Sequence, residues 1–250
     1  MSDSDTWRPQ WADVPAAIGL LSRLPVRIDD TWAKTRGANQ SWAYALAGVI
    51  VGAIAILVAS LAMALQLPEL AVGFIIVSTT AYITGAIHYD GLADSLDGLW
   101  GGWTAAQRLE IMEDSHIGAY GVIGLACFVG LQATLYGHMV TQSLWPVLGV
   151  MAMSRAAMVP VMTWMANAKI SGLSAQVGRP SVPTAVLALT VGATVAVLSG
   201  AWPAVFGSVI AALAVGAIAK HKIGGQTGDI LGATQQMAEV CALVFVIAMT

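Results

Sequence analysis

Seven apolar stretches constrain this 250-residue chain more than any other feature. They are Trp42–Leu65, Leu70–Tyr89, Ala119–Val140, Leu144–Met165, Val182–Gly200, Pro203–Ala219 and Ile230–Met249. Each is close to the ~20 residues that a helix needs to cross a hydrocarbon core ~30 Å thick. In such a core the backbone must satisfy its own polar groups, which points to helices. Only 10% of the residues are charged and 57% are hydrophobic, where a soluble domain carries about 25% charge. The expected fold class is therefore all-α: a polytopic integral membrane bundle of about seven transmembrane helices plus interfacial helices, in one membrane domain over residues 1–250. The run Val14–Val26 is too short to span and holds Arg23 and Pro25, so the N-terminal segment 1–41 is expected to contribute an interfacial or re-entrant helix.

The basic residues orient these spans. Arg8, Arg23, Arg27, Lys34 and Arg36 precede the first, Arg108 follows the second, Lys169 and Arg179 follow the fourth, and Lys220 and Lys222 follow the sixth. Ten of eleven bases thus fall on one side, and the eleventh, Arg155, lies inside a span. By the positive-inside rule that side is cytoplasmic, with the N-terminus inside. The stretch Met1–Trp11 has no basic start followed by an apolar run, unlike a cleaved signal peptide. A net charge of −3 gives no sign of a nucleic-acid partner. Cys127 and Cys241 sit in apolar runs without metal-ligand spacing and read as buried apolar residues.

The acids are gathered on the same side. Six of fourteen lie between Asp90 and Asp114. In H-Y-D-G-L-A-D-S-L-D-G, from His88 to Gly98, the aspartates Asp90, Asp94 and Asp97 follow i, i+4, i+7 spacing and share a face if the stretch is helical. Like charges so placed repel unless a cation sits among them, and oxygen ligands without Cys or paired His favour Mg²⁺. A merely solvated acidic loop would not be interleaved with Leu92, Ala93, Leu96, Leu99 and Trp100. Residues 90–118 are accordingly the expected catalytic loop, ending in an amphipathic helix over Ala105–Tyr120. A second polar patch, Lys220–Ala233, has Gly224, Gly225, Gly228 and Thr227 ahead of a helix start, as a phosphate cradle would. There Asp229 is either a further metal ligand or a plain N-cap. Arg155 and Glu239 lie deep within spans and are expected to pair.

In order along the chain, four strings resemble the cobalamin synthase family. They are S-R-L-P-V (Ser22–Val26), H-Y-D-G-L-A-D-S-L-D-G-L from His88, R-L-E-I-M-E-D-S-H-I-G-A-Y-G-V from Arg108, and K-I-G-G-Q-T-G-D-I-L-G-A from Lys222. Glu113 and His116 stand where that family usually has bases. The resemblance implies a Mg²⁺-dependent adenosylcobinamide-GDP ribazoletransferase of the bacterial cytoplasmic (inner) membrane. Such an enzyme joins adenosylcobinamide-GDP to α-ribazole, or its 5′-phosphate, and releases GMP. On this reading Asp90, Asp94, Asp97 and Asp229 hold one or two Mg²⁺, and a carboxylate or His88 accepts the hydroxyl proton. Arg23, Arg108, Asp114, Arg179, Lys220, Lys222, Gly225 and Thr227 bind substrate or phosphate. The expected partners are the two substrates and the lipid bilayer; the sequence leaves oligomeric state open, a homo-oligomer included. The rival reading, a transporter for a corrinoid or divalent cation, needs its site near the bilayer midplane, where only Arg155 and Glu239 lie.

Overall fold

The computed structural model describes residues 7–249, so the first six residues of the N-terminal stretch lie outside it. The chain runs α1 (Asp13–Leu21), α2 (Asp30–Arg36), a 3-10 turn (Gly37–Ala43), α3 (Tyr44–Ala64), α4 (Glu69–Thr84), α5 (Ile87–Gly101) and α6 (Ala105–Ile111). It continues through α7 (Ala119–Gln142), α8 (Pro146–Ala156), α9 (Met158–Trp164), α10 (Leu173–Val177), α11 (Val182–Leu198), α12 (Ala204–Ile223) and α13 (Gly228–Met249). Outside the helices, the described residues contain one isolated parallel bridge, between Asn167 and Gln226.

The fold is the expected polytopic helical membrane bundle, with a different span count. Five stretches are long and apolar enough to cross a membrane: Thr31–Ala64, α7, Pro146–Trp164, α12 and α13. The expected span Val182–Gly200 is the shorter helix α11, of 17 residues. The expected span Leu70–Tyr89 is not one helix. After α4 the chain bends by 94° into α5, a sixth span only if that bent pair counts as one. Gly85 and Ala86 make the bend, both left-handed, with φ of +63° and +58°. Glycine adopts this conformation freely, whereas alanine pays for it. The turn carries α5 away from the direction of α4, so the aspartate motif lies outside the five spanning stretches.

Residues 90–118 are therefore mostly helix and not loop. The amphipathic helix expected over Ala105–Tyr120 stops at Ile111, the end of α6. A capping box between Thr104 and Gln107 starts α6. The expected N-terminal helix forms as α1, held by a buried ion pair in which Arg36 Nε donates to Asp13 Oδ1 at 2.8 Å. Cys127 is exposed on α7 and Cys241 half-buried, so neither is the fully buried residue expected.

The centre of the bundle is α8–α9 and α13, whose apolar stretches are 83% and 72% buried, against 22–39% for the other three spans. Helix pairs approach closely at small residues. A Cβ on Gly48 would lie 2.9 Å from the Ala152 backbone of α8, and one on Gly207 would lie 2.8 Å from the Ala242 backbone of α13. Small residues at crossings let membrane helices gain dispersion contact where lipid gives no hydrophobic drive. Within this core Arg155 and Glu239 pair at 3.9 Å, as expected. Tyr136 and Gln235 also donate to Glu239, at 2.9 and 2.6 Å, so little of its charge is left uncompensated.

Candidate active site

The aspartates are positioned by the crossing of α5 and α13. A Cβ on Gly91 would lie 2.9 Å from the carbonyl oxygen of Asp229, 3.0 Å from its Cα and 3.2 Å from the Cα of Gly232. The two backbones therefore touch through Gly91 and Gly232, which sets Asp90, on one side of Gly91, beside Asp229. One turn further along α5, Asp94 faces the same space. Burial, then the charges of Asp90, Asp229 and Asp97, push its carboxyl up to about 7, while Lys169 partly relieves it.

Asp90 lines two hollows. One, of about 180 Å³, is walled by Lys169, Ser174, Gln226, Thr227 and Asp229; the other, of about 460 Å³, by Tyr89, Asp94, Met112, Glu113, Asp114 and Ile117. Lys169 is the cation at this site, with Nζ 3.4 Å from Glu113 Oε1 and 3.8 Å from Asp229 Oδ2. Its fixed place comes from the chain beside it. Ala168 N donates to Gln226 O at 2.8 Å, and Gln226 N donates to Ala166 O at 2.9 Å. The glycine-rich turn is thus stitched to the segment after α9, and Ser174 Oγ adds a bond to Gln226 Oε1 at 2.8 Å. Thr227 caps α13, its Oγ1 accepting from Ile230 N at 3.2 Å and donating to Asp229 Oδ2 at 3.1 Å. Gly225 is buried against Ala166 and Ala168, with Ala168 N 2.9 Å from where its Cβ would stand.

Not every expected residue joins this cluster. Asp97, though on the same helix, spends both carboxylate oxygens on the start of α7: Gly118 N donates to Oδ2 at 2.8 Å and Gly121 N to Oδ1 at 2.9 Å. His88 is buried and lines neither hollow; it lines a small cavity with Leu21, Tyr44, Met158 and Met162, which adjoins the smaller hollow through Ile87, Leu173, Ser174 and Gly228. Arg108 and Lys222 are occupied structurally. Arg108 donates to Gly102 O and Lys222 O, and Lys222 donates to Leu99 O at 2.7 Å with its ammonium 4.6 Å from the Trp100 ring centre. Arg179 and Lys220 line a separate apolar groove. Arg23 is exposed, its side chain against Gly85, next to Ala86 at the edge of the larger hollow. Asp114 is also exposed and accepts from His116 N at 3.0 Å, a bond that holds its carboxyl below the usual range. Among the described residues, no three His, Cys, Asp or Glu side chains converge closely enough to count as a metal site.

A sequence profile described as cobalamin-5-phosphate synthase matches residues 13–247. The chain belongs to the cobalamin-5-phosphate synthase family. Among its relatives are proteins named adenosylcobinamide-GDP ribazoletransferase from Sinorhizobium medicae, Azorhizobium caulinodans and Bradyrhizobium diazoefficiens. The first is 37% identical, over 94% of this chain and 96% of its own length. The second is 36% identical over 94% and 95%, and the third 36% over 96% and 95%. No solved structure matches the chain. In this member of the family, Lys169 is the site residue that sequence reasoning missed. It was legible only as a base after the fourth span, and nothing along the chain linked it to Asp229, 60 positions away; the bridge between Asn167 and Gln226 brings the two segments together.

Proposed function

We propose that this protein joins adenosylcobinamide-GDP to α-ribazole, or its 5′-phosphate, with release of GMP, in the bacterial inner membrane with its site on the cytoplasmic side. The observation that carries this reading is a family match over nearly the whole chain, together with the Asp90–Asp94–Asp229 cluster that the match contains. Two hollows sharing Asp90 suit a reaction that brings together two substrates. Counting the bent α4–α5 pair and α11 as crossings too, ten of the eleven bases share one side, which the positive-inside rule makes cytoplasmic.

The donor set fits Mg²⁺. It consists of carboxylate oxygens without sulfur, and their mutual repulsion already favours a bound positive charge on or beside Asp94. Asp90, Asp94 and Asp229 would hold the ion by drawing closer around it, since the three carboxylates stand too far apart to form a metal site as they are, and Asp97 leaves the set because its oxygens cap α7. When bound, Mg²⁺ supplies charge neutralisation at the diphosphate and its GMP leaving group. The protein's own part is placement. Lys169 offers an ammonium to the phosphates at the smaller hollow, and a carboxylate of the cluster takes the proton of the attacking ribose hydroxyl. The apolar wall of the larger hollow, Met112 and Ile117, suits the benzimidazole ring of the acceptor.

The test is GMP release by the purified protein given adenosylcobinamide-GDP and α-ribazole, with and without Mg²⁺. Release that needs both substrates and the ion, and that Asp94→Asn abolishes, is the expected result. Corrinoid uptake into vesicles without GMP release would instead make the protein a transporter.

A further inference from the structure

A cavity larger than either hollow at the aspartates lies elsewhere in the structure. It is a groove of about 600 Å³ between α9, α11 and α12. Its floor is small and apolar, from Ala157, Ala212 and Gly216, and its lining contains no acid. Two cations, Arg179 and Lys220, stand at one end. Arg179 Nε donates to Thr163 O at 2.6 Å, which anchors the guanidinium, while its terminal nitrogens make no hydrogen bond or ion pair among the described residues. Lys220 is exposed, and its side chain makes no ion pair or hydrogen bond among the described residues.

The dimensions identify the occupant. Along α12 the groove extends from Val209 to Lys220, eleven helical rises, or ~16 Å at ~1.5 Å per residue. One leaflet of a ~30 Å hydrocarbon core is about that deep. The groove opens sideways past Leu213, 69% exposed on a spanning helix, so its mouth faces hydrocarbon. Trp164, at the cationic end and 59% exposed, stands where aromatic side chains anchor at a membrane interface. An apolar trough one leaflet deep with two cations at its headgroup end matches an anionic phospholipid, acyl chain along α12 and phosphate between Arg179 and Lys220.

We infer that this groove is a binding site for one anionic phospholipid of the leaflet on the basic side of the membrane, separate from the aspartate cluster. Each Lys or Arg near an anionic headgroup contributes roughly five-fold in affinity.

The full-length protein would be purified, loaded with phosphatidylglycerol or with phosphatidylcholine of the same chains, and its retained lipid measured by native mass spectrometry. Preferential retention of phosphatidylglycerol is expected, reduced about five-fold in Lys220→Gln, kept in Lys220→Arg, and reduced about 25-fold in Arg179→Gln/Lys220→Gln. Should the double variant fail to fold, the contrast between the two Lys220 variants decides alone. Equal retention of the two lipids would overturn the proposal, as would equal retention by Lys220→Gln and Lys220→Arg. Displacement of the lipid by inorganic phosphate alone would make the groove a phosphate site. Displacement by adenosylcobinamide-GDP would make it a substrate site; either result overturns the lipid assignment.

Discussion

Replacing Gly91 by alanine tests whether the α5–α13 crossing builds the site. The new Cβ would stand 2.9–3.2 Å from three backbone atoms of α13, at Asp229 and Gly232. Backbone cannot swing aside as a flexible side chain can, so the helices must part by roughly 0.5–1 Å to restore ordinary contact. Overpacking of this kind costs about 1–3 kcal/mol, which lowers an apparent melting temperature by roughly 2–4 °C per kcal/mol in a chain of this size. The functional loss is expected to be larger than the stability loss, because displacement of reacting groups by ~1 Å can cost about 100-fold in rate. The assay pairs detergent melting with initial rates of GMP release. Gly101→Ala is the control on the same helix, since its Cβ would meet only Ile111 Cδ1, at an ordinary 3.6 Å. Gly91→Ala with the parent's turnover number and melting temperature would refute the crossing as the positioning device.

The cap made by Asp97 gives an opposite signature. Asp97→Asn keeps one acceptor but sets an NH₂ against a backbone N–H of α7, for an expected stability loss of about 1–3 kcal/mol; melting should fall while the Mg²⁺ requirement of the remaining active enzyme is unchanged. Asp94, with its carboxyl raised to about 7, sets a pH dependence. As pH falls through 7 the carboxyl takes up a proton that a cation must displace, so the Mg²⁺ concentration for half-maximal rate should rise, by up to about ten-fold per pH unit. Titrations at pH 6 and 8 that agree would contradict this. In the membrane core, Arg155→Met should cost roughly 3–5 kcal/mol, because it leaves Glu239 buried without its cation. Arg155→Met/Glu239→Gln should recover a large part of that loss, as read by melting of the three proteins side by side.

Much of this protein could be read along its chain. Apolar run length and sparse charge required a helical membrane bundle, because a hydrocarbon medium leaves the backbone few choices. The i, i+4 spacing of Asp90 and Asp94, with the family motifs around them, marked the candidate site for the same reason: helical periodicity is a local property of sequence. Tertiary structure decided what depends on residues distant along the chain. The bend at Gly85–Ala86 turned an apparent single span into α4 and α5, a conformation that composition does not reveal. Asp97 follows the same spacing as its neighbours, yet α7 lies within reach and its first N–H groups claim the carboxylate. Arg108, Lys222, Arg179 and Lys220 all read alike as bases near polar turns, but packing tied two into the scaffold and set two along a lipid-facing groove. Lys169 came to the aspartates through a bridge between segments far apart in sequence. Charge type and period are written residue by residue; which carboxylate, cation or backbone amide meets which is settled only when the helices cross.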